Sequence, residues 1–473
     1  MKIFVSNPPF ISSFNRQVRW SAKTSGGLHP PIYLAYAAAM LAKKHKVMLR
    51  DSIAEKDDRA KFLLEIKRFG PDLIVMETST PSVLNEKKLI KMIRKFIPKA
   101  KIALMGSHAS AMPRETLLEC RPDMVCIGEY DMTLFELAGA IEEGRSLAGI
   151  EGIAFRRGAS VIINKRRGLI EDLDSLPWPM REALPTGAYS DTLLITPFTF
   201  VISGRGCPYY CTYCNWPSTM FGHNLRLRSP AKVVDEVEYC VHKFGLKSFK
   251  FFDDTFTVNK SHVRAVCEGL IKRKIKTPWI CNARVDTLDL ETMKFMRKAG
   301  CYLFKVGIES GVQETLDWAR KGTTLEQARG FFSNAKKAGI RTFGSVIIGY
   351  PHDTRESIEQ TFNFVKEIAP DMVQFVILQP LPGTELYVWM KKNGMLPAKS
   401  DWSDYLTDEG YVNIVFEHPN FSQDELREIC SRLWKGYYMR PGYIARRAVR
   451  GIVSKEELKR NVKGVGKIFR YRT

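Results

Sequence analysis

With 473 residues, 45% hydrophobic and 26% charged, the chain is globular in composition and too long for one ordinary compact domain, so two or three are expected. Its ten cysteines are scattered, mostly in apolar contexts, which excludes an exported disulphide scaffold and implies a reducing, cytoplasmic setting. The net charge, 72 − 51 = +21, points to an anionic partner without choosing among nucleic acid, lipid and acidic protein.

Met1-Lys2-Ile3-Phe4-Val5 is too short an apolar run for a signal peptide. No stretch of about 18 apolar residues predicts a membrane span. Residues 2–6 read as a strand ending at Asn7-Pro8-Pro9. Residues 31–44 carry Tyr33, Leu34, Ala37, Ala38 and Leu41 at helical spacing. Strands follow at 46–50, 72–77, 101–105 and 123–127, with helices at 62–69, 86–96 and 134–142. This alternation over residues 1–145 predicts a parallel, doubly wound sheet. Such sheets bind ligands at the carboxyl ends of their strands. The turns there are Asn7-Pro8-Pro9, Thr78-Ser79-Thr80, Gly106-Ser107-His108 and Gly128-Glu129-Tyr130, small or polar as a binding edge requires.

Residues 152–155 and 161–164 read as a hairpin around Arg156-Arg157-Gly158. The acidic, proline-containing run Asp172-Leu173-Asp174-Ser175-Leu176-Pro177-Trp178-Pro179 suits neither helix nor strand, so residues 146–195 read as a linker.

From 196 to 395 the chain alternates again. Strands are predicted at 198–202, 248–252, 279–283, 302–308, 341–348 and 371–378, with helices at 231–244, 262–272, 290–299, 324–338 and 355–367. Six βα units are too few to close an eight-stranded barrel. After the first strand comes Gly206-Cys207-Pro208-Tyr209-Tyr210-Cys211-Thr212-Tyr213-Cys214-Asn215-Trp216-Pro217, three cysteines at C-x3-C-x2-C spacing. Thiolate-only ligation favours an iron–sulfur cluster or zinc. A closed site of either kind wants a fourth ligand, and the next cysteine, Cys240, is distant in sequence.

This spacing, with Tyr213 before the last cysteine, resembles the signature of the radical S-adenosylmethionine (SAM) superfamily. The resemblance implies that Cys207, Cys211 and Cys214 hold a [4Fe–4S] cluster whose fourth iron is chelated by SAM, on a partial (β/α)6 barrel of TIM type. It also implies roles for the strand-end motifs in the family's order. Asp253 or Asp254, in Phe251-Phe252-Asp253-Asp254, takes the SAM amino group. Arg284 is offered to its carboxylate or to a salt bridge with those aspartates. Glu309 and Ser310, in Gly307-Ile308-Glu309-Ser310-Gly311, face its ribose or methionine part. Ile348, in Gly344-Ser345-Val346-Ile347-Ile348-Gly349, and Gln379, in Gln379-Pro380-Leu381-Pro382-Gly383, lie toward adenine, Gln379 alternatively toward cobalamin.

A small α/β domain ahead of such a core resembles the Rossmann-like cobalamin-binding domain of cobalamin-dependent members. That resemblance makes Asn7, Pro8, Ser79, Thr80, Gly106, His108, Gly128 and Glu129 corrin contacts, with His29 a further candidate. No Asp-x-His-x-x-Gly sequence occurs, so no protein histidine is expected on cobalt.

Residues 396–473 read as a helical, basic extension. A helix at 421–438 opens with the capping pair Ser422 and Glu425. From Lys435 to Thr473 twelve Lys or Arg face two Glu, or +10. Interleaved basic and apolar residues after Met439-Arg440-Pro441 suit an anionic membrane surface, RNA, or a solvated helix packed on the barrel.

The reading is of an enzyme that cleaves SAM to a 5′-deoxyadenosyl radical, abstracts hydrogen from an unactivated carbon and transfers a methyl group from cobalamin. Its partners are a small-molecule or lipid substrate and an electron donor such as ferredoxin or flavodoxin, with peripheral contact at the inner membrane face through the tail and no nucleic acid. Chain length, Cys214-Asn215-Trp216-Pro217 and the tail look like hopanoid-associated and archaeal lipid-tailoring members. The alternative is therefore a non-methylating rearrangement or ring formation on a lipid-linked sugar or polyol. No side chain is singled out as itself catalytic.

Overall fold

The computed structural model describes residues 1–11, 14–17, 27–397, 401–407 and 410–445. The first sheet holds β1 (Lys2–Asn7), β2 (Lys46–Asp51), β3 (Leu73–Glu77), β4 (Lys101–Met105), β5 (Met124–Cys126), β6 (Ile153–Arg157) and β7 (Ser160–Ile163), in the order β2-β1-β3-β4-β5-β6-β7. The first five strands are parallel. β3 reads Leu-Ile-Val-Met-Glu with every residue buried, as a parallel strand covered on both faces must be. The strand order reverses between β1 and β3, which opens a crevice at their carboxyl ends.

The hairpin read from sequence as part of the linker is β6–β7. It pairs antiparallel with β5 and extends the first sheet. The turn Arg156-Arg157-Gly158 marked a hairpin, but nothing local to it specified which sheet it would join. Helices Ser107–Ala111 and Pro113–Cys120 were not predicted, because Gly106 and Pro113 interrupt the periodicity there.

The second sheet is wholly parallel: β8 (Phe198–Val201), then, past the two-residue strands β9 (Gly204–Arg205) and β10 (Arg226–Leu227), β11 (Ser248–Phe251), β12 (Trp279–Ala283), β13 (Cys301–Glu309), β14 (Arg341–Ile348) and β15 (Met372–Ile377). Each of the six strands neighbours the next in chain order. Helices Pro230–Phe244, Lys260–Lys272, Leu290–Lys298, Leu325–Lys337, Arg355–Ile368 and Glu385–Lys392 follow β10 to β15, giving the partial (β/α)6 barrel.

One helix joins these bodies and another closes the edge of the second sheet. Helix Ile32–Leu41 buries nine of its ten residues, so it has no solvent face. Its Tyr33 packs against Trp216, Phe221 and Phe252 of the barrel side, at ring-centroid distances of 5.7, 4.6 and 5.9 Å. Helix Gln423–Tyr438, with the predicted Ser422–Glu425 capping box, lies along β15. Tyr438 Oη accepts from the Val373 N–H (2.9 Å) and donates to its carbonyl (2.6 Å), and Trp434 donates to Phe375 O (3.1 Å). These bonds supply the partners that an open edge strand lacks. The start of the extension is therefore a packed helix. The basic residues from Arg446 onward lie outside the described residues. No helix among the described residues is long and apolar enough to cross a membrane.

Candidate functional site

β9 and β10 pair antiparallel, Arg205 opposite Arg226, and so close residues 206–225 into one loop. Gly206 opens it at φ +89°; a Cβ there would stand 2.1 Å from the Asn224 carbonyl, so only glycine serves. The loop is pinned by its backbone. Cys207 N–H donates to Gly222 O (3.2 Å), Cys214 N–H to Cys211 O (3.1 Å), Thr212 N–H to Ala319 O (3.0 Å), and Leu386 N–H to Thr212 O (2.9 Å). Cys207 is buried, Cys211 and Cys214 are half-buried, and none is disulphide-bonded. Among the described residues, no three Cys, His, Asp or Glu side chains are gathered to share a single ion. A closed zinc site gathers its ligands about 2.3 Å from one centre. In an iron–sulfur cluster each thiolate binds its own iron.

The strand-end motifs surround this loop, but several side chains are already committed. Asp253 is buried; its carboxylate accepts from Ser203 N (2.7 Å), Gly204 N (3.2 Å) and Ser203 Oγ, and so straps the turn after β8 to the end of β11. Burial pushes its pKa up to about 7, against the pull of those hydrogen bonds. Asp254 beside it is half-buried.

Arg284 pairs with neither aspartate. Its Nε and Nη2 each lie 3.0 Å from a carboxylate oxygen of Asp286, and Nη2 also donates to Lys321 O (2.8 Å). The guanidinium carbon sits 3.4 Å from the ring centre of Tyr209, so Arg284 holds down the cysteine loop.

Glu309 ends β13 at φ +65°, uncommon for a residue with a side chain, where the register with β14 slips. Its carboxylate pairs with Lys321 Nζ at 2.7 Å, both side chains under 10% exposed. Ser310 Oγ bonds Thr361 Oγ1 (3.1 Å) and accepts from Val312 N (3.1 Å). Ile348 is buried, and its carbonyl accepts from Leu378 N (2.9 Å). Gln379 Nε2 donates to Asn413 O (3.1 Å). Lys321 and Tyr209 were missed in sequence: neither stands at a strand end, and only the fold brings them in.

The edge of the first sheet is equally specific. Asn7 donates to Asp51 (2.8 Å) and accepts from Arg16 (2.7 Å); Pro8 O also accepts from Arg16 (2.9 Å). Arg16 reaches Glu86 at 2.6 Å with neither side chain exposed. Glu77 accepts from Gln17 at both oxygens (2.9 Å each), and burial pushes its pKa up to about 7. Ser79 bonds Ser82 (3.2 Å). Thr80 Oγ1 lies 3.1 Å from His108 Nδ1. His108 is buried, its pKa pushed down to about 3 by burial, with its ring edge-on to Trp402 at 4.9 Å. Gly106 passes so close to Thr78 that a Cβ would stand 2.3 Å from the Thr78 carbonyl. Gly128 N donates to Ser110 Oγ (2.9 Å). His29 Nε2 is bound to Asp191 (2.6 Å).

Glu129 turns away from this edge. Its oxygens take Arg205 (2.8 Å), Arg226 (2.7 Å) and the Ile170 N–H (2.9 Å), and Arg205 also binds Asp131 at 2.7 Å. Arg205 and Arg226 flank the cysteine loop, so Glu129 ties the first sheet to that loop.

A small pocket lies where the two bodies meet, lined by Asn7, Gln17, His29, Glu77, Phe200 and Phe252 among others.

With that geometry in view, the chain matches the Radical SAM superfamily over residues 201–365 and the B12 binding domain over residues 20–138. It is 31% identical over 465 residues to an uncharacterised methyltransferase of Pyrococcus horikoshii, covering 96% of this chain and 98% of the relative. It is 26% identical over 440 residues to the anaerobic magnesium-protoporphyrin IX monomethyl ester cyclase of Cereibacter sphaeroides, covering 88% of this chain and 68% of the relative. Among solved structures, the radical SAM methyltransferase TsrM from Kitasatospora setae, with cobalamin and a [4Fe–4S] cluster bound, superposes with a TM-score of 0.71 at 18% identity over 93% of this chain and 89% of that one. The chain thus belongs to the radical SAM superfamily, among the enzymes that carry a B12-binding domain ahead of the radical SAM core.

Proposed function

We propose that the chain is a cobalamin-dependent radical SAM C-methyltransferase. The observation that carries this is the three-thiol loop, pinned by backbone hydrogen bonds at the carboxyl mouth of the barrel and joined by Glu129 to the edge of the first sheet.

Cys207, Cys211 and Cys214 would hold the [4Fe–4S] cluster. Asp253 is committed to the turn at Ser203 and Gly204, so Asp254 is the carboxylate for the SAM amino group. Glu309, poised by Lys321, is the acceptor for the ribose hydroxyls. Ser310, Ile348 and Gln379 shape the remaining wall, and Arg284 keeps the loop in place through Tyr209. Cobalamin would lie at the ends of β1, β3, β4 and β5, against Asn7, Pro8, Ser79, Thr80, Gly106 and Gly128. No histidine is assigned to cobalt: His108 is held by Thr80 and walled by Trp402, and His29 is bound to Asp191. When bound, the cluster supplies the electron that cleaves SAM, and cobalamin supplies a methyl carrier. The protein's part is to position both and to exclude water, which the buried rings of Trp216, Phe221 and Tyr350 support.

Relatives include a cyclase as well as methyltransferases, so ring formation on the same scaffold is the second reading. A ferredoxin- or flavodoxin-like donor completes the scheme. A lipid substrate and inner-membrane contact rest on the basic tail alone.

The test is anaerobic reconstitution followed by incubation with SAM, reductant and cobalamin, with products read by mass spectrometry. Deoxyadenosine together with S-adenosylhomocysteine and bound corrinoid supports methylation. Deoxyadenosine without S-adenosylhomocysteine favours ring formation. A preparation that takes up no iron refutes both.

A further inference from the structure

Two lysines lie on the inside of the barrel, away from the cysteine loop and the sheet edge. Strand register sets them in tiers. Lys250 on β11 stands level with Phe200 on β8 and Ile280 on β12. Lys305 on β13 stands level with Asn282 on β12 and Phe343 on β14, and Phe343 with Met372 on β15. The adjacent residues Phe249, Phe251 and Phe304 pack into the core shared with the helices, so alternation turns both lysines inward.

Their surroundings are aromatic. Lys250 Nζ lies 4.9 Å from the ring centre of Phe252 and 5.8 Å from that of Phe200; Lys305 Nζ lies 5.5 Å from that of Phe343. His29 stands 5.3 Å from the Phe200 ring. Phe200 and Phe252 also line the small pocket at the seam between the two bodies.

Lys305 is half-buried, and an amine drawn out of bulk water is costly unless an anion faces it. Burial pulls the pKa of Lys305 down, and the charge of Asp191 offsets part of that. Asp191, however, is spent on His29 at 2.6 Å. Among the described residues, no carboxylate lies within 4 Å of Lys305 Nζ. Phe343, Ser345 and Gln374, further round the inner wall, are half-exposed. The interior thus offers a cation, rings and room on one surface.

We propose that the barrel interior is the substrate pocket and that the substrate carries an anionic group, a carboxylate or a phosphate, which pairs with Lys305 while an apolar or aromatic body lies against Phe200, Phe252 and Phe343. This deepens the radical SAM reading and rests on it.

The test uses the full-length reconstituted protein and three probes: 2-naphthoate, 1-naphthyl phosphate and the neutral 2-naphthamide, measured by equilibrium dialysis. At least one anion binds about tenfold or more tighter than the amide, the yield of one charge-assisted hydrogen bond. Naphthoate in front marks a carboxylate substrate; naphthyl phosphate in front marks a phosphate. Lys305→Gln removes the preference and Lys305→Arg keeps it. Equal binding of all three probes, no binding of any, or a preference that survives in Lys305→Gln overturns the proposal. Iron content is measured on the same preparations. Wild-type protein without iron refutes the enzyme reading itself, whereas full iron with no anion preference refutes the pocket alone.

Discussion

Glu129 and Arg205 meet at 2.8 Å with both side chains about 1–2% exposed, one at the end of β5 and the other at the mouth of the cysteine loop. Arg226 joins the same carboxylate from β10, and Asp131 takes the other side of Arg205. Two carboxylates and two guanidiniums thus compensate one another across the seam. Removing one partner strands a buried charge, at ~3–5 kcal/mol. Glu129→Ala should lower stability by that amount in urea unfolding. A loss under about 1 kcal/mol would mean that the network is solvated in solution.

The cysteine loop gives a sharper contrast. Cys207→Ala, Cys211→Ala and Cys214→Ala should each bring bound iron to background after reconstitution. Cys240, buried in helix Pro230–Phe244, should retain full iron as Cys240→Ala, with a stability loss of ~1 kcal/mol. Iron retained in any of the first three variants would point to a different ligand set.

Glu77 sets a pH dependence of stability. Its folded pKa is raised from 4.5 to about 7, chiefly by burial. The folded state then holds a proton that the unfolded state has lost, so stability falls as pH rises from about 4.5 to 7. The same sign applies to Asp51, raised to about 6 by burial. Glu77→Gln should flatten the decline in that window, by on the order of 3 kcal/mol at most. Urea midpoints measured from pH 4.5 to 8 check this, and unchanged slopes would show that Glu77 titrates normally.

Much of the fold was legible because its strands are short apolar runs bounded by glycine, proline or polar turns. The ranges predicted for β4, β12 and β14 match those observed. The site was legible only as far as local spacing reaches. The cysteines announce themselves, and Asp253-Asp254 marks a strand end, but only Ser203, 50 residues earlier, shows that Asp253 is occupied. Glu129 looked like an edge residue until Arg205, 76 residues on, claimed it. Arg284 found its partner two residues away, where sequence reading had looked to the previous strand. Hydrophobic alternation says which face a residue takes; it does not say which distant charge will meet it there.

Glu309 and Lys321 form the remaining test of the SAM side. Glu309 occupies the left-handed region at φ +65°, a conformation that costs a side-chain-bearing residue of order 1 kcal/mol and gathers at functional sites. Glu309→Gly relieves that backbone but removes the carboxylate, while Glu309→Gln keeps the shape and loses the charge opposite Lys321. If Glu309 receives the SAM hydroxyls, both variants keep the cluster and weaken SAM binding about tenfold or more, one charge-assisted hydrogen bond's worth. If it serves only to neutralise Lys321, SAM affinity holds in both variants and only stability moves. Equilibrium dialysis of SAM against the iron-loaded variants, alongside their urea midpoints, separates the two roles.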